Sequence, residues 1–265
     1  TSHDVDCSLQ LSRISYLAKM NMNNLNNFIG TGGTHKGNLR SQNEDSYMIN
    51  NRMGLFAVAD GVGGNGSGKI ASKFAIDEFN RLMVNTDLSH TALDTKQGIK
   101  LIEQINSALN LHKIKISYSD SLATTFTSLI INTDQDGLIL HAGDSRLYGL
   151  DHSGTLVALT SEHTLASELN RQGHKEIDAT ASDALLNCIG HTRPELHESV
   201  TVPLQNYQAF LLCSDGLNKM VKHEQVERIV SKYSQQPEMC VKLLIEAALA
   251  AGGYDNITTI IICRK

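Results

Sequence analysis

At 265 residues, with 41% hydrophobic and 19% charged side chains, the chain has the size and composition of one soluble domain with a real core. Its formal charge of −5, from 28 acidic against 23 basic residues, offers no field for nucleic acid or an anionic membrane. No apolar run nears the ~20 residues that span a bilayer, and the start, carrying Asp4, Asp6 and Arg13, lacks the apolar stretch of a secretion signal, so a cytoplasmic protein without nucleic-acid or membrane partners is expected.

Residues 1–26 are polar and rich in Asn toward their end (Asn21, Asn23, Asn24, Asn26). Leu11, Ile14 and Leu17 share a helical face there, which predicts either a short docked helix or an N-terminal extension without chemistry of its own. The catalytic or binding domain is expected over 27–265. Apolar and β-favouring runs predict strands at Ser46–Asn50, Gly54–Ala59, Thr125–Asn132, Leu138–Ala142, Leu147–Leu150, Ala209–Cys213 and Ile257–Cys263. Helical periodicity predicts Lys69–Val84, Lys96–Ser117, Glu162–Gln172, His223–Lys232 and Glu238–Ala251. Strands in quick succession over 125–150 require hairpins, with Asp136-Gly137 as the expected turn. Helix pairs set between strand groups argue for antiparallel sheets covered by helices. Cys7, Cys188, Cys213, Cys240 and Cys263 have no paired spacing and are read as reduced, mostly buried thiols.

The placement of certain acidic residues is the informative feature. Asp60-Gly61, Gly143-Asp144 and Asp215-Gly216 each follow a predicted strand, whereas Glu44-Asp45 and Asp255-Asn256 each precede one. In an antiparallel sheet, the end of one strand and the start of its neighbour lie at the same edge, so the five segments could share one rim. Any one Asp-Gly is more often a plain turn. Gathered together, carboxylates ~4 Å apart repel by about 4 kcal/mol per pair at an effective dielectric of ~20, and would need cations. Oxygen ligands without His or Cys select hard ions, Mg²⁺ or Mn²⁺. Two such ions can activate a water toward phosphorus, and a nearby arginine, with Arg40 as candidate, can grip phosphate oxygens.

Taken in order, Gly37–Asp45 with Arg40, Glu44 and Asp45, then Asp60–Gly64, Gly143–Arg146, Ser214–Leu217 and Gly253–Thr258 resemble the signature of the protein phosphatase 2C family, bacterial type, over nearly the whole chain from about residue 30. The resemblance implies an α+β fold, a four-layer α-β-β-α sandwich of two antiparallel sheets flanked by helices. It implies metal-dependent hydrolysis of phosphoserine and phosphothreonine on proteins, with two Mg²⁺ or Mn²⁺ ions and a weaker third. Carried over, Asp60 would bridge the metals, Asp215 and Asp255 would bind the first, and Glu44 and the Gly61 carbonyl the second. Asp45 would orient water, Arg40 would bind phosphate, and Asp144 would hold the third ion. Thr160–Thr164 resembles the start of the flap, where Glu162 and His163 are the candidates and His163 is either a structural hydrogen-bonder or a substrate-side contact. The partners implied are phosphorylated proteins, substrates of a serine/threonine kinase, and the chain is expected to act as a monomer.

Two departures from the pattern carry consequences. Val62 stands where eukaryotic members carry a histidine proposed as general acid. Lys219, four residues after Asp215, replaces a common acidic residue, and its charge would weaken a third metal site. Two rival readings are open: Gly61–Gly66 fits GxGxxG and would suit a dinucleotide-binding βαβ unit, and the fold could serve as a non-catalytic binding protein.

Overall fold

A computed structural model describes residues 27–63, 66–86, 92–115, 122–132, 136–173, 184–190 and 197–265; the expected helix and extension over 1–26 lie outside them. In chain order the elements are β1 (Phe28–His35), β2 (Ser46–Asn50), β3 (Leu55–Ala59), β4 (Gly61–Val62), α1 (Ser67–Val84), α2 (Thr95–Lys115), β5 (Ala123–Thr124), β6 (Phe126–Ile131), β7 (Asp136–Ala142), β8 (Arg146–Asp151), β9 (Leu156–Ala158), α3 (Leu165–Arg171), β10 (Glu198–Pro203), β11 (Tyr207–Cys213), α4 (Asp215–Asn218), α5 (His223–Tyr233), α6 (Pro237–Ala250) and β12 (Ile257–Arg264). One five-stranded sheet runs β1-β12-β11-β8-β9, the other β10-β7-β6-β3-β2, and a small ribbon pairs β4 with β5. Every pairing is antiparallel.

The layers follow from strand alternation. Along β3, Phe56 and Val58 enter the layer between the sheets, where they meet Phe210, Leu212, Ile260 and Ile262. Leu55, Ala57 and Ala59 point the other way, onto Ala75, Phe79, Ile102 and Ile105 of α1 and α2. The second sheet does the same: Leu211, Cys213 and Ile261 face Val226, Val230, Val241 and Leu244 of α5 and α6. Central strands buried on both faces therefore read as unbroken apolar runs. The expected four-layer sandwich is the observed one. Cys188, Cys213, Cys240 and Cys263 are free and buried, and burial pushes the Cys213 and Cys240 thiols up to about 12.

Three expectations need correction. Asp136-Gly137 is not a turn: Asp136 pairs with Pro203 and Gly137 with both Val202 and Ile131, so the dipeptide opens β7 between two neighbours. Ladder pairing on both sides outweighs the local turn preference. The middle helix begins at Leu165 and not at Glu162, because Thr164 caps it, its hydroxyl accepting from the Ser167 N–H at 3.2 Å. Strands β1, β9 and β10 and the short β4–β5 ribbon were not anticipated. β1 holds three glycines, and a Cβ at Gly30 would lie 2.4 Å from the Phe56 ring, so this strand is shaped by packing against a neighbouring sheet.

Candidate active site

Strand registers bring the acidic segments to one end of the sandwich. Ser46 pairs with Ala59, which sets Glu44 and Asp45 beside Asp60. Cys213 pairs with both Thr259 and Arg146, which sets Asp215, Asp255 and Asp144 at the matching edge of the other sheet. Polar side chains tie the two edges together. The Ser214 and Thr258 hydroxyls donate to Asp45 Oδ2 at 2.8 and 2.6 Å, and the Glu44 N–H donates to Asn256 Oδ1 at 2.7 Å.

A cavity of about 370 Å³ opens there, lined by Arg40, Glu44, Asp60, Gly61, Asp144, Asp215, Lys219 and Asp255, with Val62, Gly63, Ala184, Leu185 and Asn256 completing the wall. Seven of the ten residues singled out from sequence thus meet at one place. Asp45 is not in the wall; it is buried next to it, bonded to Ser214 and Thr258. Glu162 and His163 line a second cavity with Ser161, Thr164, His197 and Glu198. The two cavities are separated by the returning segment 184–186, whose Leu186 N–H donates to the His163 carbonyl and whose Leu185 faces the acidic cavity.

Asp60 is held by its backbone. Its N–H donates to Thr125 Oγ1 at 2.8 Å, and its carbonyl accepts from the Thr125 N–H and the Thr124 hydroxyl, both at 2.8 Å. Neither threonine has a role legible from sequence. Gly61 packs so tightly that a Cβ would lie 2.2 Å from the Gly68 carbonyl oxygen and 2.6 Å from that of Glu44. Asn256 was also missed. Its amide donates to the carbonyls of Lys36 and Gln42 while its oxygen takes the Glu44 N–H, so one side chain fixes the loop that carries Arg40 and Glu44.

The electrostatics are those of crowded carboxylates. Burial, then the charges of Asp45, Asp215 and Asp144, hold Asp60 well above the usual carboxylate range. Burial outweighs two hydroxyl donors and lifts Asp45 to about 7. Asp144 is lifted to about 7 by burial and Asp215, against the pull of Lys219. Two cations temper the cup. Arg40 Nη2 lies 2.7 Å from Asp255 Oδ2, and Lys219 Nζ lies 2.7 Å from Asp215 Oδ2. Among the described residues no three His, Cys, Asp or Glu side chains already close on a single point, and Asp255 and Asp215 each meet one of these cations. The donor set nevertheless fits a hard divalent ion. It is all oxygen, and Asp45 Oδ1 and Asp215 Oδ1 are buried without a hydrogen-bond partner.

Behind Asp144 lies a histidine pair. The His163 N–H donates to the Gly143 carbonyl at 2.9 Å, and His163 Nδ1 accepts from the Gly143 N–H at 3.2 Å. His163 Nε2 faces Glu198 at 3.2 Å. These contacts are of the kind a structural hydrogen-bonder makes. His141, 4.6 Å away ring to ring, donates from Nε2 to the Ser161 carbonyl and meets Thr127 Oγ1 through Nδ1. Burial and the neighbouring His163 push His141 down to about 3, opposed by the Ser161 carbonyl and Glu198, with Arg146 adding to the fall. The unfolded chain would protonate it near its ordinary value of about 6.5. The stability gained by keeping His141 neutral is therefore complete above about 6.5 and is lost as pH falls from there toward about 3. In urea unfolding, the advantage of wild type over His141→Gln should shrink by about 1 kcal/mol between pH 7.5 and 5.5; a constant difference would contradict the shift. Glu162 is bound by the Arg146 guanidinium and does not reach the acidic cavity wall.

The family profile described as protein phosphatase 2C matches residues 30–250. A serine/threonine phosphatase, stp, from Listeria welshimeri is 32% identical over 244 residues, covering 88% of this chain and 94% of that protein. The serine/threonine protein phosphatase PstP of Mycobacterium tuberculosis is 29% identical over 238 residues, covering 85% of this chain and 43% of that longer protein. Among solved structures, the PstP catalytic domain in complex with two manganese ions superposes with a TM-score of 0.74 at 26% identity, over 89% of this chain and 97% of that one. The dinucleotide reading falls on topology: α1 leads to α2, and every strand pairing is antiparallel, so no βαβ unit exists among the described residues.

Proposed function

We propose, given that this chain belongs to the protein phosphatase 2C family, that its acidic cavity is where phosphoserine and phosphothreonine on other proteins lose their phosphate. The chain is a metal-dependent serine/threonine protein phosphatase, and the observation that carries the site assignment is the meeting of Glu44, Asp60, Asp144, Asp215 and Asp255 with Arg40 around one cavity. Divalent ions held by Asp60, Asp215, Asp255, Glu44 and the Gly61 carbonyl would supply positive charge for the phosphate oxygens and lower the pKa of the attacking water. Mg²⁺ and Mn²⁺ both suit these donors.

The chain's own residues have separable tasks. Arg40, on the rim, presents a planar fork matched to two phosphate oxygens. Asp45 has Oδ2 fixed by two hydroxyls and Oδ1 unpartnered, which suits a group that orients water beside the ligands. Val62, 39% exposed in the cavity wall, can neither hold nor move a proton, so the leaving serine or threonine oxygen takes its proton from water or from another residue. Residues 27–265 form the catalytic domain, acting as a monomer on the substrates of a serine/threonine kinase in the cytoplasm. Among the described residues no helix is long and apolar enough to cross a membrane, and the net charge disfavours nucleic acid.

The direct test is phosphate release from a phosphothreonine peptide. Release that EDTA stops and Mn²⁺ restores is expected; turnover indifferent to chelation would contradict the reading. Arg40→Ala should raise KM roughly tenfold or more, as expected for a lost charge-assisted hydrogen bond, with a smaller change in kcat because the grip acts before and during the reaction. An unchanged KM would give Arg40 another task.

A further inference from the structure

We propose that Lys219 is a built-in cation of the acidic cup, taking the place between Asp215 and Asp144 so that this chain binds two divalent ions and not a third. The inference rests on reading the cavity as a metal-ion centre and adds the number of ions it takes. Lys219 follows the single turn of α4 directly, and its N–H donates to the Asp215 carbonyl at 2.9 Å. That turn puts the two side chains on one face, in the i,i+4 relation, with Nζ 2.7 Å from Asp215 Oδ2. The same Nζ lies 3.8 Å from Asp144 Oδ2.

Neither carboxylate can easily leave the ammonium. The Asp144 side chain is 7% exposed and that of Asp215 13%. The Asp144 loop is pinned through Gly143, which adopts a φ of +117° and exchanges two hydrogen bonds with His163. Arg40 differs: its side chain is 55% exposed, and it meets Asp255 from the rim, where it can swing onto a substrate. Lys219, 40% exposed, faces both Asp215 and Asp144 from within the cavity wall, whereas Arg40 meets Asp255. A further divalent ion seeking Asp144 and Asp215 would have to displace a like charge tethered to one of its own ligands.

The test counts ions. The metal-free chain is titrated with Mn²⁺, and free Mn²⁺ is followed by electron paramagnetic resonance. Wild type should saturate at two ions, and Lys219→Asp at three. The neutral Lys219→Gln should also take a third, more weakly, which keeps the test open if Lys219→Asp folds poorly. Without metal, Lys219→Gln should melt roughly 2–4 °C below wild type, equivalent to a modest loss for a domain of this size, and Mn²⁺ should restore it. Three ions on wild type, or two on both variants, would overturn the role given to Lys219. A raised KM with two ions on each variant would make Lys219 a substrate contact and overturn it equally. No ion on wild type would remove the metal centre itself, a failure distinct from the other two.

Discussion

Asp60→Asn is expected to abolish turnover and yet leave the metal-free protein at least as stable as wild type, with Asp215→Asn following it in activity. The two halves have one cause. Asp60 lies among Asp45, Asp215 and Asp144, and its ionised form is penalised by burial and by their charges. Without an ion, asparagine keeps the shape and relieves the repulsion. With an ion, asparagine removes the charge that would hold it. Losing even an outer partner of a metal ligand commonly costs 10–100-fold, so loss of the central carboxylate should cost at least about 100-fold in kcat/KM. Mn²⁺ should raise the Tm of wild type clearly and that of the variant little. Full activity in both variants would reject the site, whereas unfolded variants would show Asp60 and Asp215 to be structural.

Gly61→Ala should be nearly as damaging by a different route. The added methyl would face the Gly68 carbonyl at 2.2 Å and the Glu44 carbonyl at 2.6 Å, both backbone atoms that no rotamer change can move. The strand end carrying Asp60, the start of α1 and the segment carrying Glu44 must separate. Overpacking of this kind costs about 1–3 kcal/mol, and a displacement of ~1 Å at a reacting centre costs on the order of 100-fold in rate. Circular dichroism should still show a folded protein while turnover falls by about that factor. Wild-type turnover in a folded Gly61→Ala would mean that the tight approach does not position the site.

How much of this was legible beforehand follows from where each residue's reason lies. Leu55–Ala59 and Ile257–Arg264 are buried on both faces, so their apolar runs announce strands without any knowledge of partners. Phe28–His35 and Glu198–Pro203 do not: the first carries glycines where Phe56, Ile49 and Val241 press on it, and the second is an edge strand with polar alternation. At the site, Asp60, Asp144, Asp215 and Asp255 were visible because each stands beside a glycine or asparagine at a strand end, in a particular order along the chain. Thr124, Thr125, Ser214, Thr258 and Asn256 were not assigned. Hydroxyls and amides serve backbone groups everywhere, and only the registers put these five against Asp60, Asp45 and Glu44. Lys219 was visible as a reversed charge, but its reach to both Asp215 and Asp144 depends on a single helical turn meeting a pinned loop.

If folding gathers these carboxylates into a cup for divalent cations, a crystal soaked in Mn²⁺ will show the ions by anomalous scattering. Peaks among Glu44, Asp60, Asp215 and Asp255, with Arg40 released from Asp255 when phosphate is present, are the expected result. A cup that stays empty at saturating Mn²⁺, or ions found only elsewhere on the molecule, would contradict it.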